Sequence, residues 1–207
     1  MEHLLDLYEM PYDPRHPVVC FDESNKQLVE ETRSPQPVAP GRAARFDYEY
    51  RRHGTRNLFL FFEPLAGWRH VVVTQRRTAH DFAQQMRWLA DVAYPDATCI
   101  NIVLDNLNTH KPAALYQTFP PAEARRLLRR LVFHYTPKHG SWLNMAEIEF
   151  SVTLRRLGDH VPDEAALCRK LAAIVQTRNT AVATVKWQFT TDDARTRLVS
   201  LYPSLSC

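Results

Sequence analysis

Ser141-Trp-Leu-Asn-Met-Ala-Glu-Ile-Glu-Phe-Ser-Val-Thr-Leu-Arg-Arg-Leu157 reads as an amphipathic helix with an acid on its apolar side. At about 100° per residue, Ala146, Phe150, Leu154 and Leu157 fall within roughly 60° of Leu143 and form one stripe. Glu147 sits about 40° from Leu143, inside that stripe, whereas Glu149 falls well off it. A carboxylate facing a core is costly unless something positive meets it. Two more acids share this odd placement: Asp22 ends the apolar run Val18-Val-Cys-Phe-Asp22, and Asp105 ends Ile102-Val-Leu-Asp105. Two strand-end aspartates and one helix-face glutamate point to a metal site that handles phosphates.

Working outward, the rest of the chain divides into short elements. Residues 1–17 read as an irregular lead-in, because Pro11, Pro14 and Pro17 break a helix there. Val18–Asp22 and Ile100–Asp105 are buried-strand runs, and Leu131–Thr136 is a third strand. Residues 33–45, with three prolines and Gly41, form a loop, and Phe46–Tyr50 is a short strand. Asn57–Glu63 and Arg69–Thr74 flank Pro64-Leu-Ala-Gly67 as a hairpin. Thr78–Tyr94 has helical spacing, with Thr78 as cap and Asp81 three residues on. Residues 112–130 form two short helices interrupted at Pro120-Pro121, and Asp163–Thr180 and Thr190–Leu201 are two further helices. Antiparallel strands followed by alternating strands and helices predict an α/β fold with a mixed central sheet, an antiparallel hairpin and helices on both faces.

The bulk composition suits one domain with a sizeable core: 207 residues, 45% hydrophobic and 24% charged. The net charge of +3 permits nucleic-acid binding without demanding it. Only Lys26, Lys111, Lys138, Lys170 and Lys186 are lysines, so the positive charge is mostly arginine. That bias fits phosphate recognition as well as a GC-rich genome. Cys20, Cys99, Cys168 and Cys207 show no zinc spacing, which predicts reduced thiols in a cytoplasmic protein. No apolar run is long enough to span a membrane, and the N-terminus lacks signal-peptide character, so no membrane partner is expected.

Phosphodiester chemistry needs a nucleophile, in-line geometry and neutralised charge. Two divalent ions roughly 3.5–4 Å apart supply these, and hard oxygen ligands suit Mg²⁺ or Mn²⁺. Asp22, Asp105 and Glu147 are the candidate catalytic and metal-binding residues. Taken singly, each has a structural reading: the aspartates as strand-end turn residues, and Glu147 as the partner of a buried arginine. Two surrounding motifs favour the metal site. Leu104-Asp-Asn-Leu-Asn-Thr-His110 sets Asn106, Asn108 and His110 beside Asp105, and His139-Gly-Ser-Trp-Leu-Asn-Met-Ala-Glu147 sets a loop and Asn144 before the glutamate.

With these motifs, Asp-Asn-x-x-x-His and Ser-Trp-x-Asn-x-x-Glu in that order, the chain resembles the catalytic domain of DDE-type transposases. The resemblance is to the bacterial insertion-sequence branch related to the mariner superfamily, and it runs from about Val18 to Leu157. It implies an RNase H-like fold. Residues 1–207 would form a single catalytic domain, with its core at about 18–157 and a C-terminal helical part at 158–207. It also implies two Mg²⁺ or Mn²⁺ ions, DNA cleavage at transposon ends and transfer of the 3′-hydroxyl into target DNA. A homodimer at the nucleoid is expected with it. The stretch from Asp105 to Glu147 is longer than is usual in the family, with the extra length placed in Phe119–Arg130. Relatives carry an N-terminal helix-turn-helix module, and the 21 residues before Asp22 are too few for one. The expectation is a catalytic half with a separate N-terminal DNA-binding chain, or a truncated remnant. The alternative function is a non-catalytic DNA-binding or assembly subunit.

Several residues fill supporting roles. Glu23 follows Asp22 on the opposite strand face and is an alternative ligand; Glu149 is a weaker one. Lys138, His139, Asn106, His110, Asn144, Arg125 and Arg129 are the candidate DNA contacts. His110 alternatively orients Asp105, and Asn144 alternatively caps the helix. Arg125, Arg126, Arg129 and Arg130 make one basic helix edge, which reads equally as a solvated face. Trp68, Trp88 and Trp187 are core residues in expectation, and Trp142 is the candidate base-stacking ring.

Overall fold

A computed structural model describes residues 1–33, 38–43, 49–138 and 140–202. Its centre is a five-stranded sheet in the order β3-β2-β1-β4-β5. The strands are β1 (Val18–Glu31), β2 (Tyr50–Glu63), β3 (Trp68–Thr74), β4 (Ile100–Leu104) and β5 (Leu131–Tyr135). β1, β2 and β3 form an antiparallel meander, while β4 and β5 run parallel to β1. The sheet is mixed, as the order of elements predicts.

Side-chain alternation splits the core into two layers. Val19 and Phe21 of β1, with Phe59 and Phe61 of β2, face one side. There they meet α2 (Ala79–Trp88), α3 (Ala113–Thr118) and α4 (Pro121–Leu128) through Phe82, Leu115 and Leu127. Cys20, Leu58, Leu60 and Phe62 face the other side. These pack against α1 (Glu2–Glu9), α5 (Met145–Leu157), α6 (Glu164–Thr180) and α7 (Thr191–Arg197). Helices therefore cover both faces. Among the described residues, no helix is long and apolar enough to cross a membrane. Cys20, Cys99 and Cys168 are free thiols, and Cys207 lies outside the described residues.

Local signals set several boundaries. Thr78 caps α2 in a full capping box with Asp81, and Asp163 and Thr190 cap α6 and α7. Pro121 opens α4 at its first position, where a missing N–H costs nothing. Gly67 turns the β2–β3 hairpin at φ +63, and an added Cβ would stand 2.7 Å from the Val182 backbone, so both conformation and space exclude a side chain.

The structure corrects three expectations, and a fourth lies mostly outside the described residues. The lead-in is not irregular: Glu2–Glu9 is helical, because Leu4, Leu5, Leu7 and Tyr8 bury one face and the prolines come later. β1 runs nine residues past Asp22, pairing with a longer β2 as far as Glu31 and Tyr50. Of the short strand expected at Phe46–Tyr50, residues 46–48 lie outside the described residues, and β2 begins at Tyr50. The helix expected from Ser141 starts at Met145, preceded by a 3-10 turn at Ser141–Leu143.

That last difference shifts the phase of α5. Its buried side chains are Met145, Ala146, Glu149, Phe150, Thr153 and Leu157, so the buried face takes in Glu149 and leaves Glu147 half-exposed at its margin. Glu149 is tolerated inside because two cations meet it. Arg69 of β3 lies 3.1 Å away, and Arg178 of α6 donates to both carboxylate oxygens at 2.7 and 2.6 Å. Asn179 ties the same cluster together by hydrogen bonds to the Arg69 backbone and side chain.

Candidate active site

The acids converge through sheet register and one capping bond. Cys20 pairs with Val103 across the parallel β1–β4 ladder, so Asp22 and Asp105 each lie two residues further along neighbouring strands. α5 brings Glu147 to them from above in its first turn. Asn144 fixes that approach: its Nδ2 donates to the Phe21 carbonyl at 2.8 Å, and its Oδ1 accepts from the Ala146 N–H at 3.1 Å. One side chain therefore caps the helix and fastens it to the strand residue preceding Asp22.

Electrostatics shows the same convergence. Burial pushes the Asp22 carboxyl up to about 7. The negative charges of Asp105 and Glu147 add to that rise, while the N–H of Glu23, donating to Oδ1 at 2.8 Å, and the charge of His110 oppose it. The charges of Asp105 and Glu147 thus disfavour that of Asp22. A divalent cation between them would remove that conflict, and an all-oxygen donor set suits Mg²⁺ or Mn²⁺. Among the described residues, no three His, Cys, Asp or Glu side chains close around a single point.

His110 lies behind the aspartates. Its ring is fully buried between Phe21 and Phe82, and its Nδ1–H donates to Asp105 Oδ1 at 2.5 Å. Its Nε2 stands 3.5 Å from Glu23. Burial alone would lower its pKa, but the hydrogen bonding and charge of Asp105 and Glu23 outweigh it and raise the imidazole to about 9. Tyr135 braces the segment by donating to the His110 carbonyl at 2.9 Å.

The expected DNA contacts separate by burial. Asn144 and His110 are buried and engaged within the chain, which corrects their reading as DNA contacts: His110 holds Asp105, and Asn144 ties the start of α5 to β1. Glu23 does point away from Asp22, toward Arg77 at 3.1 Å and His110, and is not free to bind a metal. Glu149 is committed to Arg69 and Arg178. Asn106 and Lys138 are exposed, and His139 lies outside the described residues. The basic edge of α4 divides. Arg126 pairs with Asp91 and Glu123, and Arg130 donates to the carbonyls of Ala90, Tyr94, Pro95 and Ala97. Arg125 and Arg129 remain exposed, without an ion pair among the described residues. Reasoning from sequence missed Arg69, Arg178 and Tyr135. The rule that a buried acid needs a cation would have found the first two, had the phase of α5 been known.

Residues 17–168, more than half of the chain, match the family model described as DDE superfamily endonuclease. No curated protein matches. Among solved structures, the Mos1 mariner paired end complex with Mn aligns at a TM-score of 0.58 and 14% identity, covering 88% of this chain and 54% of that one. A pre-cleavage Mos1 transpososome aligns at 0.52 and 14%, covering 88% and 59%. At such identity the likeness establishes the fold, which is RNase H-like. The chain spans little more than half the length of these structures.

Proposed function

The chain belongs to the DDE superfamily endonucleases, and from that membership we propose that it is the catalytic domain of a transposase. In this reading it cuts DNA at transposon ends and joins the freed 3′-hydroxyl to target DNA. The observation that carries the proposal is Asp22: a desolvated carboxyl coupled to Asp105 and Glu147, which arrive from a different strand and a helix. Structural stability gives no reason to gather three acids there; cation binding does.

The Mos1 structures are described as paired-end and pre-cleavage complexes, one of them with Mn. For this chain, DNA ends and a divalent metal are the corresponding proposals, together with pairing of two copies and a separately encoded end-reading module. Two Mg²⁺ or Mn²⁺ ions would supply charge neutralisation at the scissile phosphate and an activated nucleophile. The residues contribute position. Asp22 and Asp105 would hold the ions, with Glu147 completing the second site. His110 and Asn144 hold Asp105 and the Glu147 helix in place, so the carboxylates need little rearrangement. Exposed Lys138, Arg125, Arg129 and Asn106 are the proposed backbone contacts.

Replacing Asp105 with Asn tests the reading. Mg²⁺-dependent cleavage of an end-containing duplex is expected to fall at least about 100-fold, a loss typical of removing one electrostatic element. The circular dichroism melt and DNA retention should stay near wild type. Undiminished cleavage would overturn the assignment. No cleavage by the wild type, alongside intact DNA binding, would favour a non-catalytic assembly subunit. Joining of pre-cut 3′ ends to plasmid separates a transposase from a simple nuclease.

A further inference from the structure

We propose that the solvent-facing side of Trp142 is a stacking site for an unpaired nucleobase of the DNA strand held at the carboxylates; this rests on the transposase reading above. An exposed aromatic ring is by itself ordinary. Trp142 differs in how it is supported. It is 40% exposed, and it stacks on Trp187 with centroids 6.1 Å apart and planes inclined by 20°. Phe189 meets it edge-on at 5.9 Å. Trp187 packs in turn on Tyr8 at 5.3 Å, and the Trp187 Nε1–H donates to the Phe189 carbonyl at 2.7 Å. Tyr8 is buried, and its hydroxyl donates to the Leu143 carbonyl at 2.7 Å, within the same 3-10 turn that carries Trp142. The result is a braced column of rings, rooted in the core and ending at solvent.

The ends of this column carry the right charge for a nucleic-acid strand. Lys138 lies on the loop entering the turn, and Lys186 adjoins Trp187. Both are exposed, and neither ammonium group makes a hydrogen bond or ion pair among the described residues. An exposed π face, with one lysine four residues before it and another next in sequence to the ring that backs it, fits a base and its adjoining phosphates. A base inside a duplex has both faces covered, so the occupant is unpaired. Position links the platform to the chemistry. Trp142 lies two residues before Asn144, which fastens this turn beside Asp22, and five before Glu147. A base stacked here would anchor the strand close to the reacting phosphate.

The test uses a forked duplex with an unpaired five-nucleotide arm carrying 2-aminopurine, and the same fork with an abasic arm. Binding of the first fork by the full chain is expected to quench 2-aminopurine. The Trp142→Ala variant is expected to bind the intact fork about 5- to 150-fold more weakly than wild type, the range seen for lost base stacking. Trp142→Phe should restore most of that loss. On the abasic fork, wild type and Trp142→Ala should bind alike. Unquenched 2-aminopurine on a bound fork would overturn the proposal without needing any variant. An equal loss on both forks would also overturn it, assigning Trp142 to the fold instead. If the chain cleaves DNA but these signatures fail, only the stacking site falls. If it neither binds nor cleaves DNA, the transposase reading falls and takes this one with it.

Discussion

Asp22 shows what a buried carboxyl costs the protein. Its pKa is raised from 3.8 to about 7, so the folded chain holds a proton that the unfolded chain releases. Its ionisation therefore subtracts stability as pH rises from about 4 to about 7. Asp22→Asn removes that burden while keeping an oxygen to accept the Glu23 N–H. The variant is expected to lose cleavage yet gain about 0.5–2 kcal/mol at neutral pH, measured by urea denaturation. A destabilised variant would show that the carboxyl is held by contacts rather than strained by its neighbours. The site was legible at this scale because strand-end acids and their flanking motifs are local in sequence. The roles of His110 and Asn144 were half legible. Spacing placed them beside the acids, but only the fold shows that both are buried and turned inward. Glu149 was misjudged because its cations come from 80 residues before and 29 after it, separations that no helical wheel registers.

At the scale of elements, the Glu149 cluster fixes the rotation of α5, which carries Glu147. α5 rests on a carboxylate gripped from β3 and from α6. Glu149→Gln leaves the buried Arg69 and the half-buried Arg178 without a counter-charge and is expected to cost about 3–5 kcal/mol, read from chemical denaturation. Little change would mean that water or a shifted partner takes the carboxylate's place. This cluster also makes α6 part of the site's foundation, although α6 lies in the C-terminal helical part, beyond residue 157. Elements with local punctuation, such as α2 with its Thr78 box, were readable from sequence. α1 was not, because an eight-residue helix has little stability of its own and depends on the sheet face it covers. The outer half of the β1–β2 pair was not readable either. From Lys26 onward the strands have no third strand beside them and carry mostly polar side chains, so no alternation marks them.

For the whole molecule, two histidines shape stability in opposite pH ranges. Burial, with the charge of His3 beside it, depresses His134 to about 4. The unfolded chain then takes up a proton below about 6.5 that the fold refuses, and stability falls with pH over that interval. His110, raised to about 9, stabilises the fold below 6.5, and that contribution is lost as pH rises through about 9. Melting temperature is expected to drop on the alkaline side, while on the acid side the loss from His134 runs against the gain from protonating Asp22. His134→Gln should raise the acid-side melting temperature relative to wild type, and His110→Gln should flatten the alkaline limb. A profile that neither variant alters would assign the pH dependence to other groups.

The two extremities of the described chain also meet. Glu2 accepts hydrogen bonds from Arg195 and from Tyr202, and Asp6 accepts one from Thr191. A short peptide bridge between residues 2 and 202 would therefore close the backbone into a circle without stretching it. New openings could then be cut into surface loops far from the carboxylates. Any appendage spliced onto either extremity would emerge from one shared spot, next to α1 and α7, whichever end carries it.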